Sequence, residues 1–132
     1  MGKVLIDANV LIGIAREKDA LHARAVELME RMKKGYEVWV LNLVVQEAAT
    51  VLSMRDGMNQ ARRFHEGYKD LVDVEIGLDN ELEKSAWRVF LMQRKKGTSF
   101  VDCANLAVIR KYKLDGILTF DEFYPKEIRL SG

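Results

Sequence analysis

Two apolar runs in this chain each end on an aspartate. Lys3-Val4-Leu5-Ile6 stops at Asp7, and Gly116-Ile117-Leu118-Thr119-Phe120 stops at Asp121. Short runs of this kind read as strands buried on both faces, the sort that a parallel sheet needs. A carboxylate does not belong inside such a run, so each Asp marks the carboxyl end of its strand. In open α/β sheets that edge is where ligands bind. Parallel neighbours would place the two carboxylates side by side.

The sequence between them alternates helical and extended patterns. Asn9 is suited to cap a short helix over 9–15. A second helix starts near Asp19, with Leu21, Ala25, Leu28 and Met32 at helical spacing and Gly35 closing it. Residues 36–41 (YEVWVL) form a strand. Asn42 caps a helix over 43–55, which Asp56-Gly57 stops. A weaker helix over 58–70 is interrupted at Gly67, and 71–76 is a short strand. Asp79 caps a long helix through Lys96, and Ser99 caps another through Tyr112. A strand at 116–120 and an edge strand at 128–130 complete the chain. The pattern predicts a mostly parallel sheet with helices on both faces, in the α/β class.

At 132 residues the chain has the size of one domain, 1–132, and its only proline, Pro125, makes no linker. Cys103 is the only cysteine, which excludes an internal disulfide and a cysteine-based zinc site. A single cysteine, no signal-peptide pattern and no apolar run near the ~20 residues of a membrane span point to the cytoplasm. The net charge of +1 selects no class of partner.

Two further acids fall on the same sheet edge. Glu47 lies in the first turns of the helix that follows the second strand. Asp102 lies in the first turn of the helix that precedes the last long strand. Each acid has a plain structural explanation: Ser99-x-x-Asp102 matches a capping box, Asp121 can cap a turn, and a helical Glu is usually solvated. Asp7 is the hardest to explain that way, and the convergence of all four favours function. Gathered carboxylates repel and raise one another's pKa. A hard divalent cation, Mg2+ or Mn2+, is the natural neutralising partner, and it activates water and stabilises phosphoryl charge.

The basic clusters Arg31-Lys33-Lys34, Arg94-Lys95-Lys96 and Arg110-Lys111-Lys113 sit at predicted helix ends, where cations favour the dipole. Arg62-Arg63 lies mid-helix and is the first candidate for phosphate contact, with Arg16 and Lys18 as further ones. His22 and His65 have no partner at metal-ligand spacing. Trp39 and Trp87 are expected in the core, as is Cys103. Phe123 and Tyr124 are expected at the crevice rim or on a partner surface.

Four segments then carry a family resemblance. IDANVLI at 6–12, V-Q-E-A-A at 45–49, S-F-V-D-C-A-N-L-A-V at 99–108 and I-L-T-F-D-E-F at 117–123 resemble, in order and spacing, a PIN domain. The resemblance implies a three-layer α/β/α sandwich around a five-stranded sheet, and a Mg2+- or Mn2+-dependent ribonuclease. The family's acidic positions fall here on Asp7, Glu47, Asp102 and Asp121, with Asn9, Ser99 and Thr98 supporting them. Chains this short look most like VapC toxins of toxin–antitoxin pairs, which implies RNA as substrate, a small antitoxin as partner and a homodimer. A PIN ribonuclease of RNA processing and a silent RNA-binding PIN module are the alternatives. A haloacid-dehalogenase-type phosphatase would need Asp where this chain has Asn9. A receiver domain would need a pair of acids after its first strand and a further Asp after its third, and neither is present.

Overall fold

A computed structural model describes residues 1–131. Five strands form one sheet: β1 (Gly2–Ile6), β2 (Tyr36–Leu41), β3 (Val74–Ile76), β4 (Gly116–Leu118) and β5 (Arg129–Leu130). Their order across the sheet is β3-β2-β1-β4-β5, and every neighbouring pair is parallel. The helices are α1 (Ala8–Ala15), α2 (His22–Lys33), α3 (Asn42–Asp56), α4 (Met58–Gly67), α5 (Asn80–Leu91) and α6 (Phe100–Tyr112), with a 3-10 turn at Tyr68–Asp70. This is the expected α/β/α arrangement around a five-stranded sheet.

The topology fixes where a ligand would sit. The chain builds outward from β1 through β2 to β3, then returns to the other side of β1 for β4 and β5. The strand order therefore reverses between β1 and β4, and the crevice at such a switch opens at the carboxyl ends of the strands. Asp7 stands there, directly after the central strand β1.

The register of that pair is held at both ends. Near the start, Lys3 N donates to the Asp115 carboxylate and Asp115 N donates to Lys3 O, both at 2.7 Å. At the far end, Asp7 N donates to Leu118 O at 3.0 Å. Gly116 lets β5 close on β4, because a Cβ there would stand 2.7 Å from the Ile128 carbonyl oxygen.

The core is formed by fully buried β1, β2 and β4 residues, among them Val4, Leu5, Val38, Val40 and Ile117, with Leu28, Leu52 and Leu82 from the helices above and below. Helix α6 is buried along seven consecutive residues, Cys103 to Ile109. That run includes one polar side chain, Asn105.

Several expectations are corrected. Asp7, not Asn9, caps α1 by accepting from Ala8 N at 2.9 Å, because Asp7 alone separates the end of the strand from the start of the helix. Asn42 opens α3, but its carboxamide accepts from Leu78 N across the sheet. Helix α5 stops at Leu91, well short of Lys96. Leu91 and Met92 are exposed and have no core to join, and Gln93 turns back to donate to Val89 O. Arg94-Lys95-Lys96 consequently lies in a loop. Trp87 is 46% exposed, packed on its inner side against Phe90 and Phe100. Tyr124 is 1% exposed, a core residue and not a rim residue. Asp79 and Ser99 cap α5 and α6 as expected, and Trp39 and Cys103 are buried.

Candidate active site

Asp7 is 3% exposed, and three groups hold its carboxylate. Oδ1 accepts from Ala8 N, and Asn105 Nδ2 lies 3.4 Å from the same oxygen. Oδ2 accepts from the Thr119 hydroxyl at 2.8 Å. Thr119 follows β4 directly and is fully buried. Its oxygen also accepts from Asp121 N at 3.0 Å, so one hydroxyl ties the ends of β1 and β4 together.

Asn9 spans the same gap. Its carboxamide nitrogen donates to the Thr119 hydroxyl oxygen at 3.3 Å, and its oxygen accepts from Phe120 N at 3.1 Å. Asp102, half-buried on the first turn of α6, accepts from the Tyr124 hydroxyl at 3.0 Å. Tyr124 accepts in turn from Asn105 Nδ2 at 3.0 Å. Burial, with the charges of Asp7 and Asp102, drives the Tyr124 phenol far above its ordinary pKa. It stays protonated and can only donate to Asp102.

Sequence reasoning missed Asn105 and Thr119, and it misplaced Tyr124. The signal for Asn105 was present: it is a polar residue three positions after Asp102 in the otherwise apolar run 103–109, hence on the same face.

The acids perturb one another. Burial, then the charge of Asp102, pushes Asp7 up to about 7, against the pull of the Thr119 and Ala8 hydrogen bonds. Glu47 adds to that rise. Burial pushes Asp102 up to about 6, with Asp121 and Glu47 adding to it and the Tyr124 hydroxyl opposing it. Glu47 is raised by partial desolvation although its side chain is exposed, which places it at the crevice edge. Asp121 is exposed, and its carboxylate accepts from Phe123 N at 3.0 Å.

These couplings link all four acids. Among the described residues, no ion pair with Lys or Arg neutralises any of them. No three His, Cys, Asp or Glu side chains among those residues stand close enough to hold an ion as they lie. The chemistry of the donor set nonetheless suits a hard divalent cation. It consists of oxygens alone, burial raises the Asp7, Asp102 and Glu47 carboxyls with neighbouring acids adding to the first two, and Asn105 Oδ1 is buried beside them without a donor.

The supporting and basic residues fall differently. Ser99 accepts from Asp102 N at 3.4 Å and so orients the first turn of α6. The Thr98 hydroxyl donates to Lys95 O, away from the acids. Arg16 is paired with Asp56 at 2.7 Å and Asp19 at 3.4 Å. Arg62 bonds Asn59, and Arg63 bonds Gln60. Arg16 and Arg63 line a pocket of about 580 Å3 that none of the four acids lines.

The PIN domain sequence pattern matches residues 4–126. No curated protein matches the chain. Among solved structures, VapC20 of Mycobacterium tuberculosis, described as a toxin that cleaves the sarcin–ricin loop, superposes with a TM-score of 0.77. It is 25% identical, and the alignment covers 91% of either chain. VapBC2 of Rickettsia felis, bound to a fragment of promoter DNA, superposes with a TM-score of 0.73 at 10% identity, covering 97% of each chain. The second likeness is one of fold. With a family match over nearly its whole length, this chain belongs to the PIN domain family and resembles its VapC-type members.

Proposed function

We propose that the chain is a Mg2+- or Mn2+-dependent endoribonuclease and the toxin of a VapC-type toxin–antitoxin pair. The observation that carries this reading is the Asp7–Asp102 relationship. Two carboxyls, one buried and one half-buried, are both held above their ordinary pKa, first by burial and then by neighbouring acids: Asp102 and Glu47 act on Asp7, and Asp121 and Glu47 act on Asp102. Among the described residues no basic side chain pairs with them. A divalent cation would offset that burial and repulsion where no basic side chain does. The 25% identity to a toxin described as cleaving the sarcin–ricin loop supports the choice of substrate.

In this reading Asp7, Glu47, Asp102 and Asp121 hold the ion, directly or through water. When bound, the ion polarises the phosphate and lowers the pKa of a coordinated water. Asp7 and Asp102 are fixed in place by Thr119 and Tyr124, so they keep their orientation as the substrate arrives. Glu47 and Asp121 are exposed and would reach the ion from the edge of the crevice. Glu47 orients the attacking water and takes its proton as the new P–O bond forms. The bond to the leaving oxygen breaks, and that oxygen takes a proton from solvent. Asn9 holds the Thr119–Asp121 turn so that Asp121 stays at the edge.

The same reading gives the chain a small antitoxin as partner, a homodimeric assembly and a cytoplasmic setting. The described residues contain no helix long and apolar enough to cross a membrane.

The test is cleavage of RNA by purified protein in Mn2+, in EDTA, and with Asp7→Asn and Asp102→Asn. Cleavage should need the metal and both carboxylates. Undiminished cleavage in EDTA or by either variant contradicts the assignment.

A further inference from the structure

A second pocket, of about 470 Å3, opens immediately beside Asp121. Thr119, Phe120 and Asp121 form its inner wall, so it is continuous with the acid cluster. Its outer wall brings together Arg24, Lys126 and Arg129. These cations come from α2, from the loop before β5 and from β5 itself, so the fold brings Arg24 to the neighbouring pair Lys126 and Arg129 from a distant part of the chain.

Their state differs from that of the basic residues in the other pocket. There Arg16 is consumed by Asp56 and Asp19. Among the described residues, none of Arg24, Lys126 and Arg129 forms an ion pair. Asp121 and Glu122 share the pocket, yet neither is paired to them. The Arg24 guanidinium lies 5.0 Å from the centre of the Phe120 ring and donates to Ser131 O at 3.0 Å. Stacking and that bond hold the group in place while leaving other N–H donors unused. Among the described residues no carboxylate pairs with these three cations, so a negative ligand can complete the site. An RNA strand does so, because its phosphates repeat along the backbone on either side of the bond to be cut.

We propose that this pocket is a substrate subsite: the RNA backbone runs from the acid cluster past Asp121 and seats a neighbouring, non-scissile phosphate on Arg24, Lys126 and Arg129. This rests on the ribonuclease reading above and adds the direction in which the strand lies. The three side chains make no base-specific contact, so they supply affinity and register, not sequence preference. Their loss therefore weakens binding more than turnover.

The test uses the full-length chain with a short fluorescent single-stranded RNA of mixed sequence. Binding is followed by anisotropy over a salt series, and KM and kcat are measured in Mn2+. Lys126→Ala is the first variant, because Lys126 is exposed and supports nothing else. Arg129→Gln and Arg24→Lys follow, the latter keeping the charge. Lys126→Ala and Arg129→Gln should each raise Kd and KM about 5- to 10-fold at low salt with kcat nearly kept, and Arg24→Lys should lose less. The slope of log K against log salt should fall by about 0.7 for each phosphate contact removed. A wild type that cleaves RNA, alongside variants with unchanged affinity and unchanged slope, overturns the subsite and leaves the ribonuclease reading intact. Variants that keep RNA affinity but lose an acidic protein partner overturn it equally. A wild type that neither binds nor cuts RNA overturns the ribonuclease reading itself.

Discussion

The Thr119 hydroxyl donates to Oδ2 of Asp7 at 2.8 Å, across the point where the strand order of the sheet reverses. It is the only side-chain donor to that oxygen among the described residues, and both residues are buried. Thr119→Val keeps the shape and removes the hydroxyl. The buried carboxylate then loses a partner, which should destabilise the fold by about 1–3 kcal/mol. Its pKa should rise above about 7, because the Thr119 bond is one of the two hydrogen bonds that hold it down. Affinity for Mn2+ should fall about 10- to 100-fold, the usual effect of losing a group that orients a metal ligand. Thr119→Ser should restore most of both losses. Denaturant unfolding and Mn2+ titration of the three proteins check this.

Tyr124 plays the corresponding part for Asp102. Tyr124→Phe removes the donor at 3.0 Å from Asp102 and leaves Asn105 Nδ2 without its acceptor there. Stability should drop by about 1–3 kcal/mol. RNA cleavage should fall about 10- to 100-fold, and more at pH 6 than at pH 8. The sign follows from the Asp102 carboxyl: the Tyr124 bond lowers its pKa, so the variant carries the proton to higher pH. A loss of rate that is equal at the two pH values would separate Tyr124 from the ionisation of Asp102.

How much of this was legible in the sequence depended on whether a residue's role was local. Asp7 and Asp121 could be found because a carboxylate ending an apolar run is visible without a structure. Glu47 and Asp102 followed once the alternation of strand and helix fixed the sheet edge. Tyr124 could not be placed, because it sits in an irregular loop before Pro125, where no periodicity reports burial. The capping role passed from Asn9 to Asp7 because both residue types cap helices, and only the exact end of β1 separates them. Trp87 looked like core because apolar bulk is the one cue that sequence offers, whereas its exposure is set by where α5 stops.

The crowded acids also predict a pH dependence of stability without metal. Asp7 in the folded chain titrates near 7, against 3.8 for an ordinary Asp, and Asp102 titrates near 6. Between those limits the folded state holds protons that the unfolded chain has released, so stability falls as pH rises through the window. Metal-free Tm should be highest at or below about pH 4 with respect to these groups and decline toward pH 8. The cost from Asp7 alone is on the order of 4 kcal/mol once pH exceeds 7. Asp7→Asn removes that charge, so above pH 7 the metal-free variant should melt no lower than the wild type. A Tm that rises steadily from pH 5 to 8 without metal would contradict the crowding.

The central claim is that the four acids await a divalent cation, and the stabilisation that Mn2+ confers as a function of pH tests it most directly. An ion that binds only the folded chain raises stability by about 2.7 kcal/mol at a concentration 100 times its Kd. It competes with the protons on Asp7 and Asp102, so the gain in Tm should be small at pH 5, grow through pH 6–7 and level off near pH 8. It should be largely lost in Asp102→Asn. A Tm that Mn2+ leaves unmoved at pH 8, or raises equally in wild type and Asp102→Asn, would contradict the account.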